Sequence, residues 1–366
     1  MIFIDCNLLN FRNLGNIFLE FSEKGNVLFG KNGQGKTNFL EALYYSLAGK
    51  SFRRSVTDRQ IIKYNNNFFH INVNLLKSMK DGGDKKYNIK VNYLKGKSKE
   101  IAINNKKIKK LSQLVGLNNF VLLSVEDRKI IHGYPADRRR FLDNAISQID
   151  SLYLEYLQIY KKLLYEKKAL FEKNNVDYML LDSINEQMVE PFIYIIKKRK
   201  TFIKSIAPFV IKSYKNISDN NEDANIIYNP YVDIETPSEL LYFLQKHKNK
   251  EIQEKNVIYG PHRDDFILEI NGKNSKNFSS SGQIKSMILS LKIALAMFFK
   301  EYNGIVPLLF LDDIFSELDN FRIKKLIDFF DLFSQIFITV PRQDELKFFP
   351  DNFKIFEVNN GEIYAR

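Results

Sequence analysis

Apolar residues recur along this chain with two different periods, and the switch between them divides it. In the first hundred residues they alternate. Ile2 and Ile4, then Ile17, Leu19 and Phe21, then Phe69, Ile71, Val73 and Leu75, and then Tyr87, Ile89, Val91 and Tyr93 fall on every second position. That spacing predicts half-buried strands. Asp81-Gly82-Gly83, Gly96 and Asn104-Asn105 supply turns, so an antiparallel meander is expected. From Asp137 the period becomes helical. Leu142, Ala145, Ile146, Ile149, Leu152, Tyr153, Tyr156, Tyr160, Leu163 and Leu164 form one continuous stripe. Met188, Phe192, Ile195, Ile196, Phe202, Ile203 and Ile206 form a second, with a kink expected near Pro191 and Pro208. Two long helices joined by the polar stretch 173–177 should bury these stripes against each other. No strict heptad persists, so a coiled coil is not expected. Residues 218–223 are a polar break. Thr236-Pro237-Ser238-Glu239 combines an N-cap, a proline at the first helical position and an acid at the third. Phe266, Leu268 and Ile270 then restore the alternation up to Asn271-Gly272.

Two apolar runs do not alternate, as expected of strands covered on both faces. Val27-Leu28-Phe29 leads into Gly30-Lys31-Asn32-Gly33-Gln34-Gly35-Lys36-Thr37, and Phe39, Leu40, Leu43, Tyr44 and Leu47 then take up helical spacing. Strand, glycine-rich loop and helix are the context in which G-x-x-x-x-G-K-[ST] is a P-loop. Its glycines let backbone N–H groups close around phosphate oxygens, and the helix N-terminus adds partial positive charge. Lys36 is suited to reach the β- and γ-phosphates and Thr37 to hold Mg²⁺, so a nucleoside triphosphate is the expected ligand. The second run, 305–311, ends in Asp312-Asp313. This is the Walker B form. Asp312 would hold the metal through water, and Asp313 would orient or deprotonate the attacking water.

Ser279-Ser280-Ser281-Gly282-Gln283 precedes the helical pattern of Ile284, Met287, Ile288, Leu291, Leu295 and Phe298. By itself such a cluster is ordinary N-cap chemistry. It lies upstream of Asp312, however, and Asp313 is followed by Ser316-Glu317-Leu318-Asp319. This order is similar to that of the ABC and SMC ATPases, in which the Ser-Gly loop of one subunit caps the γ-phosphate on the P-loop of another.

Composition narrows the partners. At 366 residues the chain can form two domains, or one large domain with an insertion. Its 55 Lys and Arg exceed 43 Asp and Glu by +12, which favours a polyanionic partner, although lysine-rich codon usage would give the same balance. Residues 85–110 hold ten lysines and one acid, Glu100, which suits either a lysine-protected sheet edge or a face that follows phosphates. Arg138-Arg139-Arg140 suits either pairing with acids such as Asp143 or bidentate clamping of phosphates. His262 and Arg263 suit a structural corner or direct chemistry, and His262 lacks a second ligand at zinc spacing. The single cysteine, Cys6, rules out an intrachain disulfide and suits a reducing compartment. No secretory pattern opens the chain, and the best apolar run, 287–299, is broken by Lys292 before it reaches membrane length. A soluble cytoplasmic protein with no membrane partner is expected.

Five further stretches are more specific. They are Asn10-Phe11-Arg12-Asn13, Thr37-Asn38-Phe39-Leu40-Glu41-Ala42, Ser51-Phe52-Arg53, the run Gly133-Tyr134-Pro135-Ala136-Asp137-Arg138-Arg139-Arg140-Phe141-Leu142-Asp143, and Gly260-Pro261-His262-Arg263-Asp264-Asp265. In this order, from residue 10 to about residue 339, the chain resembles the RecF family of bacterial recombination mediators. The resemblance implies an α/β fold: an ABC/SMC-like P-loop ATPase head with an antiparallel β subdomain, from 1–120 and 250–366, and a helical lobe inserted at 121–249. It implies a weak, DNA-stimulated ATPase using ATP and Mg²⁺, a homodimer formed on ATP binding, and release by slow hydrolysis. DNA partners would be duplex, gapped or junction DNA. Protein partners would be of the RecO and RecR type, in recombinase loading, gap repair, replication restart and SOS induction.

Carried onto this sequence, residues 30–37 match the family's Walker A loop, and Asp312 and Asp313 its Walker B pair. Ser280, Gly282 and Gln283 match the signature motif, and Asp319 the D-loop acid. Arg12 resembles the N-terminal arginine that meets nucleotide in SMC-like heads. DNA contacts are expected at Arg138, Arg139, Arg140, Lys106, Lys107, Lys109 and Lys110. The chain departs from the pattern at Ser281, where glutamine is usual, and after Ser124, where proline is expected. It also has Thr339 where a histidine would mark an H-loop. Two other classes compete: the nucleotide-binding subunit of a membrane transporter, and a DNA-binding module that never hydrolyses ATP. The long separation of Lys36 from Asp312 argues against the first, and the second acid, Asp313, against the second.

Overall fold

The computed structural model describes residues 1–78, 83–117, 119–173, 175–218 and 222–366. The turn expected at Asp81-Gly82, and parts of the polar stretches 173–177 and 218–223, lie outside the described residues. The chain forms two compact units, 1–127 with 295–366, and 128–294.

The first unit begins with β1 (Ile2–Leu9), β2 (Asn16–Glu20), β3 (Gly25–Phe29), α1 (Lys36–Ala48), α2 (Asp58–Ile61), β4 (Phe68–Ser78), β5 (Asp84–Leu94), β6 (Glu100–Ile103), β7 (Lys106–Lys107), α3 (Ser112–Val115) and β8 (Phe120–Ser124). The alternating strands make an antiparallel sheet in the order β2-β1-β4-β5-β6-β7. Ile71 faces Val91 and Val73 faces Ile89, all fully buried, so the alternation selects the inward face. Asn104 and Asn105, both at positive φ, turn the chain into β7, whose Lys106 and Lys107 form an exposed edge strand.

The second unit holds α4 (Lys129–His132), α5 (Pro135–Ser147), α6 (Ser151–Phe171), α7 (Tyr178–Ile217), β9 (Ala224–Asn229), α8 (Pro237–Gln253), β10 (Asp265–Ile270), β11 (Lys273–Asn274) and α9 (Ser275–Phe278). The next helix, α10 (Ser281–Asn303), starts in this unit and ends in the first. The stripe expected as one helix is two. Asp150 accepts from the Tyr153 backbone N–H at 2.9 Å and caps a new helix, α6. Conversely, α7 runs unbroken through Pro191 and Pro208. This unit extends beyond the expected 121–249 because β9 pairs with β10 along its whole length and Phe141 of α5 packs on Phe266 of β10. Near its centre Arg199 is buried and fully engaged, donating to Tyr153, Asp143, Asp264 and the Pro261 carbonyl. The apolar window of α10 is long enough to cross a membrane, contrary to expectation, but 78% of it is buried inside the protein. It is a core helix.

Back in the first unit follow β12 (Leu308–Asp312), α11 (Asn320–Asp328), β13 (Ile336–Val340), β14 (Lys354–Asn359) and β15 (Glu362–Ala365). They complete a second sheet, β15-β14-β3-β13-β12-β8, in which every pairing but that of the β15 edge is parallel. β3, β12 and β13 are buried at every position, which is why their sequences run apolar without alternation. Phe39, Leu40 and Leu43 of α1 share one core with Ile71 and Val91 of the antiparallel sheet and with Leu28, Phe310 and Phe337 of the parallel one. A helix covered on both sides has no polar face, and nearly all of α1 is buried. Gln335 ties the two sheets together. Its amide oxygen accepts from the Phe3 N–H at 2.7 Å, and its amide nitrogen donates to the carbonyls of Phe3 and Ser22 at 2.9 and 2.7 Å.

Candidate functional site

Parallel register brings the site together. Ser124 of β8, Asp312 of β12, Thr339 of β13 and Leu28 of β3 are successive partners across the sheet, so these strands end along one edge. Open α/β sheets bind ligands beyond the carboxyl ends of their strands. There β3 passes into the loop 30–35. A Cβ at Gly30 would lie 2.3 Å from the Val358 carbonyl oxygen, and one at Gly35 (φ 119°) would lie 2.9 Å from the Asn13 amide, so only glycine fits either place. Gly35 precedes α1 without a side-chain cap, which leaves the first-turn N–H groups for an anion.

Thr37 Oγ1 donates to Asp312 Oδ1 at 2.7 Å, and Thr339 Oγ1 donates to the same oxygen at 3.1 Å. The Thr339 hydroxyl also accepts from the Asp313 backbone N–H at 2.8 Å, so the residue standing where a histidine was sought holds both acids. Burial pushes the Asp312 carboxyl above its ordinary range, against the hydrogen bonds from the two threonines. Asp313 sits at φ 53°, a strained conformation for a non-glycine residue. Its Oδ1 is buried with no hydrogen-bond partner among the described residues. Its carboxyl is also raised, mainly by burial, while Lys36 opposes the shift and Glu317 adds to it. The Lys36 ammonium donates to the carbonyls of Gly30 at 2.5 Å and Lys31 at 3.0 Å. Burial lowers its pKa, and Asp313, Asp312 and Glu345 resist that.

These groups fit a magnesium nucleotide. A threonine hydroxyl on one carboxylate oxygen, with an unpaired buried oxygen on the neighbouring acid, supplies the oxygen donors of a hard cation that takes its remaining ligands from phosphate and water. Among the described residues no group of three His, Cys, Asp or Glu is arranged to hold a metal alone.

Both chain ends brace the loop. Asn13 donates to the Gln34 carbonyl at 3.0 Å and accepts from Asn38 at 2.8 Å, while the Gly361 and Asn360 N–H groups bond the Gln34 carbonyl and side chain at 2.9 and 2.6 Å. Arg12 lies beside α1, held by both oxygens of buried Glu41 at 3.1 and 2.8 Å. Arg53 approaches the same carboxylate at 3.3 Å and donates to Asn38 at 2.6 Å. An acid in an otherwise apolar helix was the visible signal for Glu41. Asn13 stood in the stretch 10–13 without a role attached to it, and Glu345 carried no comparable mark.

The remaining site residues have local partners. Ser280 caps α10: its Oγ accepts from the Gln283 N–H at 3.2 Å, and its own N–H donates to Gln283 Oε1 at 2.7 Å. Gly282 lies in the first turn of that helix. Asp319 caps α11 by accepting from the Arg322 N–H at 2.9 Å; the bonds from Arg322 overcome burial and hold its carboxyl below the ordinary range. Lys31, Asn32 and Gly33 are exposed at the tip of the loop.

The arginine run is not a row of free clamps. Arg138 is 8% exposed and bonds both oxygens of Asp265 at 2.6 and 2.8 Å. Arg139 donates to the Asp264 carbonyl at 2.7 Å, and Arg140 is half-buried. Asp143 pairs with Arg199 at 2.8 Å. By contrast Lys106, Lys107, Lys109 and Lys110 are exposed, with Lys107 paired to Glu100 at 2.5 Å.

The profile of the RecF/RecN/SMC N-terminal domain family matches residues 4–364, and this defines the class: an ATPase head of the ABC/SMC type. An SMC head solved with the winged-helix domain of ScpA shares the fold, with a TM-score of 0.58 at 14% identity over 100% of this chain and 97% of that one. The DNA replication and repair protein RecF of Clostridium botulinum (strain Okra) is 35% identical over 364 residues, 98% of each chain. That of Lachnoclostridium phytofermentans is 37% identical over 331 residues, 90% of this chain and 89% of its own. The recombination mediator protein RecF, solved with ATP in the RecFOR pathway, gives a TM-score of 0.89 at 30% identity, covering 100% of this chain and 97% of that one. The chain belongs to the RecF family.

Proposed function

We propose that the chain is an ATP-dependent DNA-binding protein of recombinational repair, in which ATP binding joins two copies on DNA and slow, DNA-stimulated hydrolysis releases them. The observation that carries this reading is the meeting of Lys36, Thr37, Asp312 and Asp313 at one edge of the parallel sheet, with one Asp313 oxygen buried and unpaired. A module that only bound ATP would gain nothing from holding a second acid at a strained φ. Mg²⁺, when bound, neutralises phosphate charge. The backbone of residues 30–35 and the open N-terminus of α1 bind the phosphates, Lys36 turns from the loop carbonyls to the terminal phosphate, and Thr37 and Asp312 hold the metal. Asp313, its basicity raised by burial, orients the attacking water and takes its proton. Ser280 and Gly282, with Asp319, complete the site of a second copy, so each chain is half of two sites. Arg12 and Arg53 stay close to the nucleotide through Glu41. That the RecF solved with ATP is a recombination mediator of the RecFOR pathway supports work in recombination; we extend this to RecO- and RecR-type partners and recombinase loading, in gap repair, replication restart and SOS induction. Such work belongs to the cytoplasm. Duplex, gapped or junction DNA would meet the exposed lysines around β7.

Lys36→Ala should weaken ATP binding by about tenfold or more, because it removes a charge-assisted contact in a folded loop. Asp313→Asn should bind ATP like the parent and lower kcat by roughly a hundredfold. ATP turnover with and without gapped DNA, beside equilibrium nucleotide binding, measures both. Parental turnover by Asp313→Asn would remove the acid from catalysis.

A further inference from the structure

The signature loop is tied to the end of the longest helix through a carboxylate. Gln283 uses its Oε1 and its backbone N–H on Ser280, and its Nε2 donates to Glu222 Oε1 at 2.6 Å. Glu222 is 8% exposed, and its other oxygen accepts from the Tyr214 hydroxyl at 2.7 Å. Tyr214 is fully buried in the last turn of α7. The Oγ of its neighbour Ser213 lies 2.9 Å from the Ser290 carbonyl of α10, and its single proton is shared between that carbonyl and the Phe209 carbonyl of its own helix at 2.6 Å. The C-terminal turn of α7 therefore holds the start of α10 at Gln283, through Glu222. Both side-chain polar atoms of Gln283 are engaged, which fixes its rotamer and the Ser280 cap with it.

We propose that Glu222 is a positioning residue for the signature loop: it holds Gln283, and through Gln283 holds Ser280, in the arrangement that meets nucleotide on a second copy. This rests on the reading that the loop acts in trans. Glu222 needs no contact with nucleotide. Removing a buried, charge-assisted acceptor frees Gln283 to change rotamer and unlocks the cap, at the moment when the loop must already be ordered for docking.

The test is sedimentation of the full chain with ATP, with ATP binding and thermal melting measured alongside. Glu222→Ala should weaken ATP-dependent dimerisation by about tenfold or more, with ATP binding to the single copy within about twofold of the parent. Glu222→Gln should recover most of the loss, since its amide oxygen can accept from Gln283 and its NH₂ can donate to the Tyr214 hydroxyl. In a Gln283→Ala background, Glu222→Ala should add less than about a twofold further loss, because a residue that acts through Gln283 has nothing left to act on. A second tenfold loss there would overturn the proposal. So would parental dimerisation by Glu222→Ala while Ser280→Arg fails to dimerise, an outcome that leaves the trans reading intact. Normal dimerisation by Ser280→Arg would instead sink the trans reading, and the positioning role with it. If melting shows that Glu222→Ala does not fold, Tyr214→Phe carries the same pair of comparisons. It should weaken dimerisation in the parent and not in the Gln283→Ala background, and equal losses in both would overturn the proposal.

Discussion

Burial lowers the His262 imidazole from 6.5 to about 4, against the Val257 hydrogen bond and with help from the cations Arg263, Arg139 and Lys167. Its Nε2 donates to the Val257 carbonyl at 3.0 Å, which leaves Nδ1 to accept from the Tyr160 hydroxyl at 2.7 Å. A protonated ring would set a hydrogen against that hydroxyl and a charge inside the helical unit. Between pH 6.5 and about 4 the unfolded chain binds the proton and the native one does not, so stability is complete above 6.5 and is lost as pH falls through this window. Asp143 and Asp150, held below their ordinary value, add acid sensitivity only lower down. Unfolding free energies from urea titrations at pH 7, 6, 5 and 4.5 should therefore fall, with a limiting slope of about 1.4 kcal/mol per pH unit for one proton. His262→Gln should flatten the profile. Because the raised carboxyls of Asp312 and Asp313 act in the opposite sense as pH falls, the comparison is between the two chains, and equal slopes in the parent and His262→Gln would mean that the ring is not held neutral. The motif around His262 left a structural corner and direct chemistry both open. Its partner Tyr160, 102 positions away, was not legible, because such a contact leaves no trace in local spacing.

At the scale of elements, legibility followed from whether the cause of a structure lay within it. The P-loop strand, loop and helix are one contiguous segment, and the full burial of β3 and β12 is written in their unbroken apolar runs. The stripe of α5 and α6 was misjudged because its phase continues across the break, and Asp150, the cap that ends it, looks like any polar residue on a helix. Gln335 is the extreme case. Nothing near it in sequence marks it as the tie between two sheets, yet it bonds both backbone groups of Phe3, beside the irregularity in β1 between Phe3 and Asp5, and the Ser22 carbonyl after β2. Gln335→Leu would keep the volume and take the side-chain partner from the Phe3 N–H and carbonyl, while the Ser22 carbonyl keeps its bond from Asn26 at 3.0 Å. It should cost about 3 kcal/mol, from roughly 1–3 for each polar group left unsatisfied less what water recovers. That corresponds to a melting point lower by roughly 5–10 °C. Circular dichroism of the nucleotide-free chain measures it, and a shift under about 2 °C would show that the sheets hold together without the amide.

For the molecule as a whole, the net charge of +12 overstates what a polyanion can meet. Some of the most conspicuous cations are consumed internally. Arg138 is paired with Asp265, and Arg199 is spread over Asp143 and Asp264. Lys99, from the middle of the lysine-rich stretch, donates to the Gly49 carbonyl at 2.6 Å and to Tyr45 at 2.8 Å, and pairs with Asp58 at 3.1 Å. A run of like charge in the sequence does not reveal which members have acids waiting across the fold. The lysines of this stretch that stay at the surface include Lys85 and Lys86 at the start of β5, Lys95 and Lys97 after it, and Lys106 and Lys109 around the β7 edge. An edge strand guarded by lysine is protected against pairing with other strands, and the same lysines can follow a phosphate backbone at no cost to the fold. Each lysine that neutralises one phosphate contributes about 0.9 to the slope of log affinity against log salt. Lys106→Gln with Lys109→Gln should therefore lower that slope by about two units on gapped duplex DNA, with melting unchanged. Arg138→Gln should do the reverse, lowering the melting point through its abandoned Asp265 while leaving the slope alone. If the slope instead falls in Arg138→Gln and stays put in the double lysine variant, DNA lies on the helical unit and not along β7.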